Sequence, residues 1–163
     1  MSNVLAIFTA PQRAAAPRSQ SRVSMQAGAG IVGDRYCNTQ ASFLDRPLQE
    51  RATEVTLIEA EAIDTFNQAC GLTLGYGDLR RNIITHGVNL NALAGQRFRL
   101  GTVEFEGIEL CEPCSSLARR VTSLVLPHMV HRAGLRAAVL SSGELQVGDI
   151  FALAIEGKKK GTP

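Results

Sequence analysis

The sequence predicts a mainly β protein with a few helices, most simply a β-barrel or a β-sandwich with helices attached. Two observations indicate this class. Short apolar runs with strand-like alternation recur along the chain, and turns rich in its 15 glycines separate them. Only two segments have clear helical spacing, and we find no internal repeat and no low-complexity linker. This pattern is typical of closed or layered β architectures.

The overall composition favours one ordinary globular domain. A chain of 163 residues can bury roughly 70% of the surface that its unfolded form exposes. We expect a single domain over 1–163, with a core of about 4–155 and a flexible basic tail at 156–163. The net charge of +2 predicts no general affinity for nucleic acid. No signal peptide or membrane span is recognisable, so we expect a cytoplasmic protein whose cysteines are reduced.

The first half of the chain reads as three strands and one helix. The predicted strands are Val4 to Phe8, Arg22 to Gln26 and Thr53 to Ile58. Helical spacing covers Glu59 to Cys70, and Gly71 is a plausible stop. The glycine-rich segment 28–36 is either a hairpin or a close approach of the backbone to a ligand, and its sequence leaves both interpretations open.

Arginines begin the next predicted strand, Arg80 to His86. Alternation places Arg80 and Asn82 on one side of this strand and Arg81 on the other. Polar side chains on both sides indicate a solvent-exposed rim. A guanidinium there could bind an anion in a bidentate manner, with Asn82 adding an amide donor. A simple strand end with solvated arginines fits the same residues.

A hairpin and a set of closing strands follow. The predicted hairpin pairs Arg97 to Leu100 with Val103 to Leu110. Apolar residues change phase around Gly107, which predicts a one-residue bulge that returns Ile108 and Leu110 to the core face. We predict a helix from Leu117 to Val125 that ends at Pro127. The predicted closing strands are Leu135 to Leu140, Leu145 to Val147 and Ile150 to Ile155.

Two cysteines, Cys111 and Cys114, lie where the second hairpin strand meets the predicted helix. A thiol at a helix N-terminus is favoured as the thiolate, with Ser115 or Ser116 available as an N-cap. A structural zinc site lacks two further ligands. A thioredoxin-like pair fits the local order but not the β-rich surroundings, and the expected compartment disfavours a disulfide. One reactive or metal-binding thiolate with a neighbouring thiol remains.

Six short strings, in order, resemble a stand-alone MOSC domain, the family named for the C-terminal domain of molybdenum cofactor sulfurases. They are Gly30-Ile31-Val32-Gly33-Asp34-Arg35, Val55 to Glu61, Arg80-Arg81-Asn82-Ile83, Leu100-Gly101, Cys111-Glu112-Pro113-Cys114, and Gly134 to Ala137 with Val147-Gly148-Asp149. The match runs from about Val4 to about Ile155. This resemblance implies a β-barrel of the pyruvate-kinase type and binding of the molybdenum cofactor, a molybdenum held by a pyranopterin.

The resemblance also implies roles for individual residues. Cys114 would be the catalytic thiolate and the ligand of molybdenum or of transferable sulfur. Arg80 and Asn82 would contact the pterin. Glu112 and Ser115 complete the expected cofactor-binding set, although some relatives have a small polar residue at the position of Glu112. A possible site mouth comprises Asp34, Arg35 and Cys111, with Cys111 either a structural neighbour or a resolving thiol.

Three functions remain open from the sequence. The first is a molybdenum-dependent reductase of N-hydroxylated or N-oxide compounds, which needs a separate electron donor because we see no flavin or iron–sulfur motif. The second is a carrier of sulfur or of the cofactor without turnover, supplied by a sulfur donor. Fused relatives carry a pyridoxal-phosphate domain, and the chain contains nothing that resembles one. The third is a β-barrel interaction module.

Overall fold

The computed structural model describes residues 1–37 and 45–153. The predicted basic tail and part of the polar segment after Cys37 lie outside the described residues. The strands are β1 (Asn3–Thr9), β2 (Arg18–Gln20), β3 (Arg22–Gln26), β4 (Gly30–Ile31), β5 (Val55–Glu59), β6 (Ile83–His86), β7 (Arg97–Leu100), β8 (Val103–Leu110), β9 (Leu135–Val139), β10 (Gly143–Gln146) and β11 (Phe151–Leu153). The helices are α1 (Ala60–Cys70), α2 (Ser115–Arg120) and α3 (Val125–His128), with 3-10 turns at Leu48–Arg51 and Leu90–Leu93.

Eight strands form one curled sheet, in the order β11, β7, β8, β9, β5, β6, β1, β2. The pairing is antiparallel except between β5 and β6, which α1 connects as a crossover. The β11 end of the sheet returns to β1, because Val4 N donates to Asp149 O at 2.9 Å and Phe151 N donates to Ser2 O at 2.9 Å. The result is the predicted mainly β barrel, and β10, β3 and β4 form a second, smaller sheet.

Two apolar clusters lie on opposite faces of β5 and β6. The first fills the barrel and includes Phe98 and Phe105, whose rings stack with centroids 5.3 Å apart. The second packs Phe66 of α1 against Leu117 and Val125 of the two short helices. Burial of these side chains therefore fixes α2 and α3, and the cysteine loop before them, against the outside of the barrel.

A buried ion pair joins the first 3-10 turn to the barrel. Arg51 Nε contacts Glu54 Oε2 at 2.7 Å, and the two residues are 4% and 2% exposed. Both side chains also bond the backbone of Val139 in β9, since Arg51 Nη2 donates to its oxygen and Glu54 Oε1 accepts from its nitrogen, each at 2.8 Å. The two charges therefore neutralise each other inside the protein, and both side chains also hold β9.

Several predicted elements are confirmed and two are wrong. Helix α1 ends at Gly71, which adopts φ 65°, and the register of β8 against β9 shifts between Gly107 and Glu109 as the phase change predicts. Ile108 nevertheless stays half-buried outside the core clusters. The predicted strand Arg80 to His86 begins only at Ile83.

The predicted helix Leu117 to Val125 is interrupted. Helix α2 ends at Arg120, and Thr122 Oγ1 then accepts a hydrogen bond from Leu124 N at 3.3 Å, which offers the backbone a turn in place of the helix. Pro127 does not stop a helix but lies in the first turn of α3, where its missing N–H costs nothing.

Within residues 1–37 and 45–153, the helices are too short or too polar to cross a lipid bilayer.

Candidate functional site

Four arginines converge on one small cleft, which we call the arginine cleft. Its volume is about 70 Å³. The lining residues are Asp34, Arg35, Tyr36, Thr56, Arg80, Arg81, Asn82, Cys111 and Arg136. They come from the loop after β4, from β5, from the segment before β6, from the residue after β8 and from β9, so the fold brings together residues that are far apart in sequence. Four guanidinium groups against one carboxylate give the cleft a positive charge, which suits an anionic ligand.

Arg81 ties the walls of the arginine cleft together. Its Nε donates to Ala133 O at 2.8 Å, and its Nη2 lies 3.4 Å from Cys111 O. Burial lowers the pKa of the Arg81 guanidinium, while the nearby Cys111 thiol opposes this shift and the positive charge of Arg136 adds to it. Cys114 also acts on this pKa, to a smaller extent. Arg81 therefore joins the backbone before β9 to the start of the cysteine loop.

Arg80 has an unusual backbone conformation, with φ 65°. Its Nη2 donates to Arg13 O at 2.9 Å. Burial lowers the pKa of the Arg80 guanidinium, and the charges of Arg35 and Arg120 lower it further. Arg120 belongs to the last turn of α2, the helix that follows Cys114.

Asp34 and Arg35 reach the arginine cleft from the β4 loop. The Asp34 carboxylate is buried and accepts a hydrogen bond from Ala10 N at 3.0 Å, so it holds the loop against β1. The guanidinium of Arg35 lies 4.5 Å from the ring centroid of Tyr36. Its Nε atom is buried without a hydrogen-bond partner in the described part of the chain. A buried donor without an acceptor favours an anionic or carbonyl group at this position.

Asn82 faces the arginine cleft but uses its amide to join strands. Its Oδ1 accepts hydrogen bonds from Thr56 N and Thr56 Oγ1, both at 3.1 Å. Its Nδ2 donates to Phe8 O at 3.2 Å. The side chain thus connects β5, β1 and the start of β6, and one amide hydrogen remains for a ligand.

We expect Asn82→Ala to lower the free energy of unfolding by about 2 kcal/mol, because it leaves the Thr56 amide without an acceptor. Urea denaturation of the ligand-free protein measures this change. Asn89→Ala is the control, because Asn89 is exposed and its side chain makes no capping bond. An Asn82→Ala protein as stable as wild type would mean that the side chain serves only a ligand.

The cysteine loop, residues 111–114, presents two different thiols. Cys111 is 2% exposed, and its backbone nitrogen donates to Gly134 O at 2.8 Å. Cys114 is exposed and is the N-cap residue of α2, without a side-chain capping bond. Ser115 is the first residue of this helix, so the predicted N-cap role of Ser115 or Ser116 is wrong. Cys111 lines the arginine cleft, and Cys114 follows three residues later, at the surface.

Glu112 contacts a histidine and does not line the arginine cleft. Its Oε1 accepts a hydrogen bond from His131 N at 2.7 Å, and its Oε2 lies 2.6 Å from His131 Nδ1. The backbone hydrogen bond from His131 holds the pKa of the Glu112 carboxyl below its usual range. Both carboxylate oxygens are thus bound within the chain.

The structure groups the predicted site residues into two sets. Five of them line the arginine cleft: Asp34, Arg35, Arg80, Asn82 and Cys111. The other three, Glu112, Cys114 and Ser115, belong to the cysteine loop and the start of α2. Sequence reasoning missed Arg81, Arg136, Tyr36 and Thr56 as cleft residues. Only Arg81 had a signal, its position between Arg80 and Asn82.

A family model for the MOSC domain matches residues 45–152. The chain belongs to the MOSC domain family. Among solved structures, the YuaD protein of Bacillus subtilis superposes with a TM-score of 0.76 at 15% identity, covering 93% of this chain and 94% of that one. YiiM of Geobacillus stearothermophilus gives 0.73 at 13% identity, covering 98% and 78%. YiiM of Escherichia coli gives 0.62 at 13% identity, covering 94% and 70%. No curated protein matches the sequence.

The MOSC family is associated with the molybdenum cofactor, and the residues of this site fit parts of that group. Residues 1–37 and 45–153 contain no cluster of three or more His, Cys, Asp or Glu that could hold a bare metal ion. A metal that brings its own pterin sulfurs needs only one protein thiolate, which Cys114 can supply. The cleft of about 70 Å³ fits a phosphate or another small anionic part, because pockets that enclose whole ligands measure roughly 300–1,000 Å³.

Proposed function

We propose that this MOSC protein binds the molybdenum cofactor and reduces N-hydroxylated or N-oxide compounds. The observation that carries the proposal is an exposed thiol, Cys114, three residues after Cys111, which lines a cleft with four guanidinium groups. An anionic cofactor with a thiophilic metal binds best where positive charge and a soft ligand are both available. The arginines and the Cys114 thiol offer these two groups. We place the protein in the cytoplasm, where reducing conditions keep Cys114 a free thiol.

Each residue of the site has a role in the proposal. Arg35 and Arg80 bind the anionic part of the cofactor, and the unpaired Nε of Arg35 gains an acceptor. Arg81 holds the carbonyl of Cys111 and so fixes the cysteine loop at the rim of the cleft. Cys114 supplies its thiolate to molybdenum. The surface position of this thiol leaves room for a substrate to approach.

The bound cofactor supplies oxygen-atom transfer from the substrate. For an N-hydroxylated amine, the nitrogen–oxygen bond breaks, two electrons and two protons enter, and the products are the amine and water. The electrons come from a separate donor protein, because we recognise no redox cofactor motif in the chain. Exposed Cys114 lies at a surface that such a donor can reach.

The proposal is tested by the molybdenum and pterin content of protein expressed in a host that makes the cofactor. We expect near-stoichiometric molybdenum in the wild type and at least a tenfold loss in Cys114→Ser, because an alcohol is a poor ligand for a soft metal. Cys70→Ser is the matched control, since Cys70 lies at the end of α1 and does not line the arginine cleft. Loaded wild type should then reduce N-hydroxylated compounds with an artificial electron donor.

The exposed thiol also suits a sulfur carrier, and the same preparation separates the two functions. A persulfide on Cys114, without molybdenum and without turnover, would support the carrier. Wild-type protein that holds neither molybdenum nor persulfide would contradict both and favour an interaction module.

A further inference from the structure

We propose that Glu112 and His131 form a clamp that keeps the cysteine loop, and with it the Cys114 thiol, beside the arginine cleft. This inference goes beyond the proposed function, because it concerns the placement of a thiol and requires no cofactor. Glu112 acts as a positioning residue and touches no ligand.

The clamp consists of two contacts between one carboxylate and one residue. Glu112 Oε1 accepts from the His131 backbone at 2.7 Å, and Glu112 Oε2 lies 2.6 Å from the Nδ1 atom of its ring. Asn91 Nδ2 donates to His131 O at 2.8 Å and so fixes the same residue from the opposite side of the backbone. A carboxylate that engages backbone and side chain together defines the position of both segments more tightly than a single surface ion pair.

His131 has a backbone conformation that needs such support. Its φ of 61° lies in the left-handed region, which side chains other than glycine adopt at a cost. The surrounding contacts therefore maintain this conformation. The contacts with Glu112 and Asn91 are the ones that hold His131 directly.

The clamp adds to tethers at the other end of the cysteine loop. Cys111 N donates to Gly134 O at 2.8 Å, and Arg81 bridges Ala133 O and Cys111 O. These bonds fix the start of the loop but not Cys114. Helix α2, which follows Cys114, has only six residues and begins without a side-chain cap. Cys114 O accepts a hydrogen bond from Ala118 N at 3.0 Å, and buried Leu117 anchors α2 in the second apolar cluster. The Glu112 contacts add a side-chain tether inside the loop, two residues before the exposed thiol.

The alkylation rates of Cys114 test the clamp in the full-length protein without cofactor. Neutral iodoacetamide reports thiol accessibility, whereas anionic iodoacetate also senses the positive field of the arginines. The ratio of the iodoacetate rate to the iodoacetamide rate, measured at Cys114 by mass spectrometry, therefore reports how close the thiol lies to the arginine cleft. We expect Glu112→Ala to lower this ratio at least threefold.

Glu112→Gln is the matched control, because it removes the same charge but keeps an oxygen for His131 N and an amide for the ring. We expect its ratio to equal or exceed that of wild type. Loss of the negative charge alone would raise the ratio in both variants, so a fall in Glu112→Ala alone identifies displacement of the loop. Equal ratios in the two variants would overturn the proposal.

His131→Ala provides an independent variant, and circular dichroism verifies that each variant is folded. We expect His131→Ala to lower the ratio as Glu112→Ala does, and the double variant to lower it no further, since both changes break one clamp. Additive effects, or an unchanged ratio in His131→Ala, would contradict the clamp. Because no cofactor is present, this outcome is independent of whether the protein binds molybdenum.

Discussion

Glu54→Ala is expected to lower the free energy of unfolding by about 3–5 kcal/mol, the usual cost of removing one partner of a buried ion pair. The Arg51 guanidinium would remain buried without a counter-charge, since it is only 4% exposed. The backbone nitrogen of Val139 would also lose its acceptor, Glu54 Oε1, in the middle of the barrel. We expect this to exceed the effect of any surface substitution in the chain.

Urea denaturation followed by circular dichroism measures this effect. Glu50→Ala is the control from the same turn, because Glu50 forms an ion pair with Arg46 in which both side chains are 55% exposed. Its cost should stay below about 1 kcal/mol. A second comparison replaces both members of the buried pair, Arg51→Met with Glu54→Leu, and should recover only part of the stability, because it removes the unpaired charge but leaves the Val139 nitrogen without its acceptor. A loss below 1 kcal/mol in Glu54→Ala would show that water reaches Arg51.

Most of the longer strands and the first helix were predictable because short-range signals determine them, whereas the short strands β2 and β4 were not predicted. The alternation of Arg22 to Gln26 gave the bounds of β3, and helical spacing followed by Gly71 gave the end of α1. The shift of register near Gly107 was readable because the phase of apolar residues must change wherever a residue is inserted into a strand. Each of these signals lies within a few neighbouring residues.

The arginine cleft was only partly predictable, because its geometry depends on distant segments. The pattern of residues 80–86 resembles a strand, yet Arg80 adopts φ 65° and β6 begins at Ile83. No local pattern indicates that Arg136 of β9 and Arg81, which precedes β6, line the same cleft. After α2, the Thr122 hydroxyl accepts a hydrogen bond from Leu124 N where the helix is interrupted. The spacing of apolar residues contains no signal for this interruption.

Glu112 illustrates a different limit. The resemblance to the family implies a place for it in the cofactor site, and that role stays a prediction. In the structure, the Glu112 carboxylate contacts His131, a residue 19 positions away in the sequence. A surface histidine with a left-handed backbone has no sequence signature, so only the structure identifies His131 as the partner of Glu112.

The second large effect is expected for Gly134→Ala, which should lower the free energy of unfolding by about 3 kcal/mol. Gly134 adopts φ 121°, a conformation that residues with a β-carbon rarely tolerate. A β-carbon there would also lie 2.2 Å from Leu57 O and 3.6 Å from Arg81 Nε. The first contact is impossible without a shift of the backbone at the start of β9.

That shift should also disturb the cysteine loop, because Gly134 O accepts the hydrogen bond from Cys111 N. We expect faster hydrogen exchange at the Cys111 amide in Gly134→Ala, measured by mass spectrometry, beside the loss of stability measured in urea. Gly143→Ala is the control, since a β-carbon there would lie no closer than 3.6 Å to Thr102 and Val103. Unchanged exchange at Cys111 would mean that contacts other than Gly134 O, such as those of Arg81 and Glu112, hold the loop. Faster exchange would show that one glycine sets the distance between the barrel and the thiol loop.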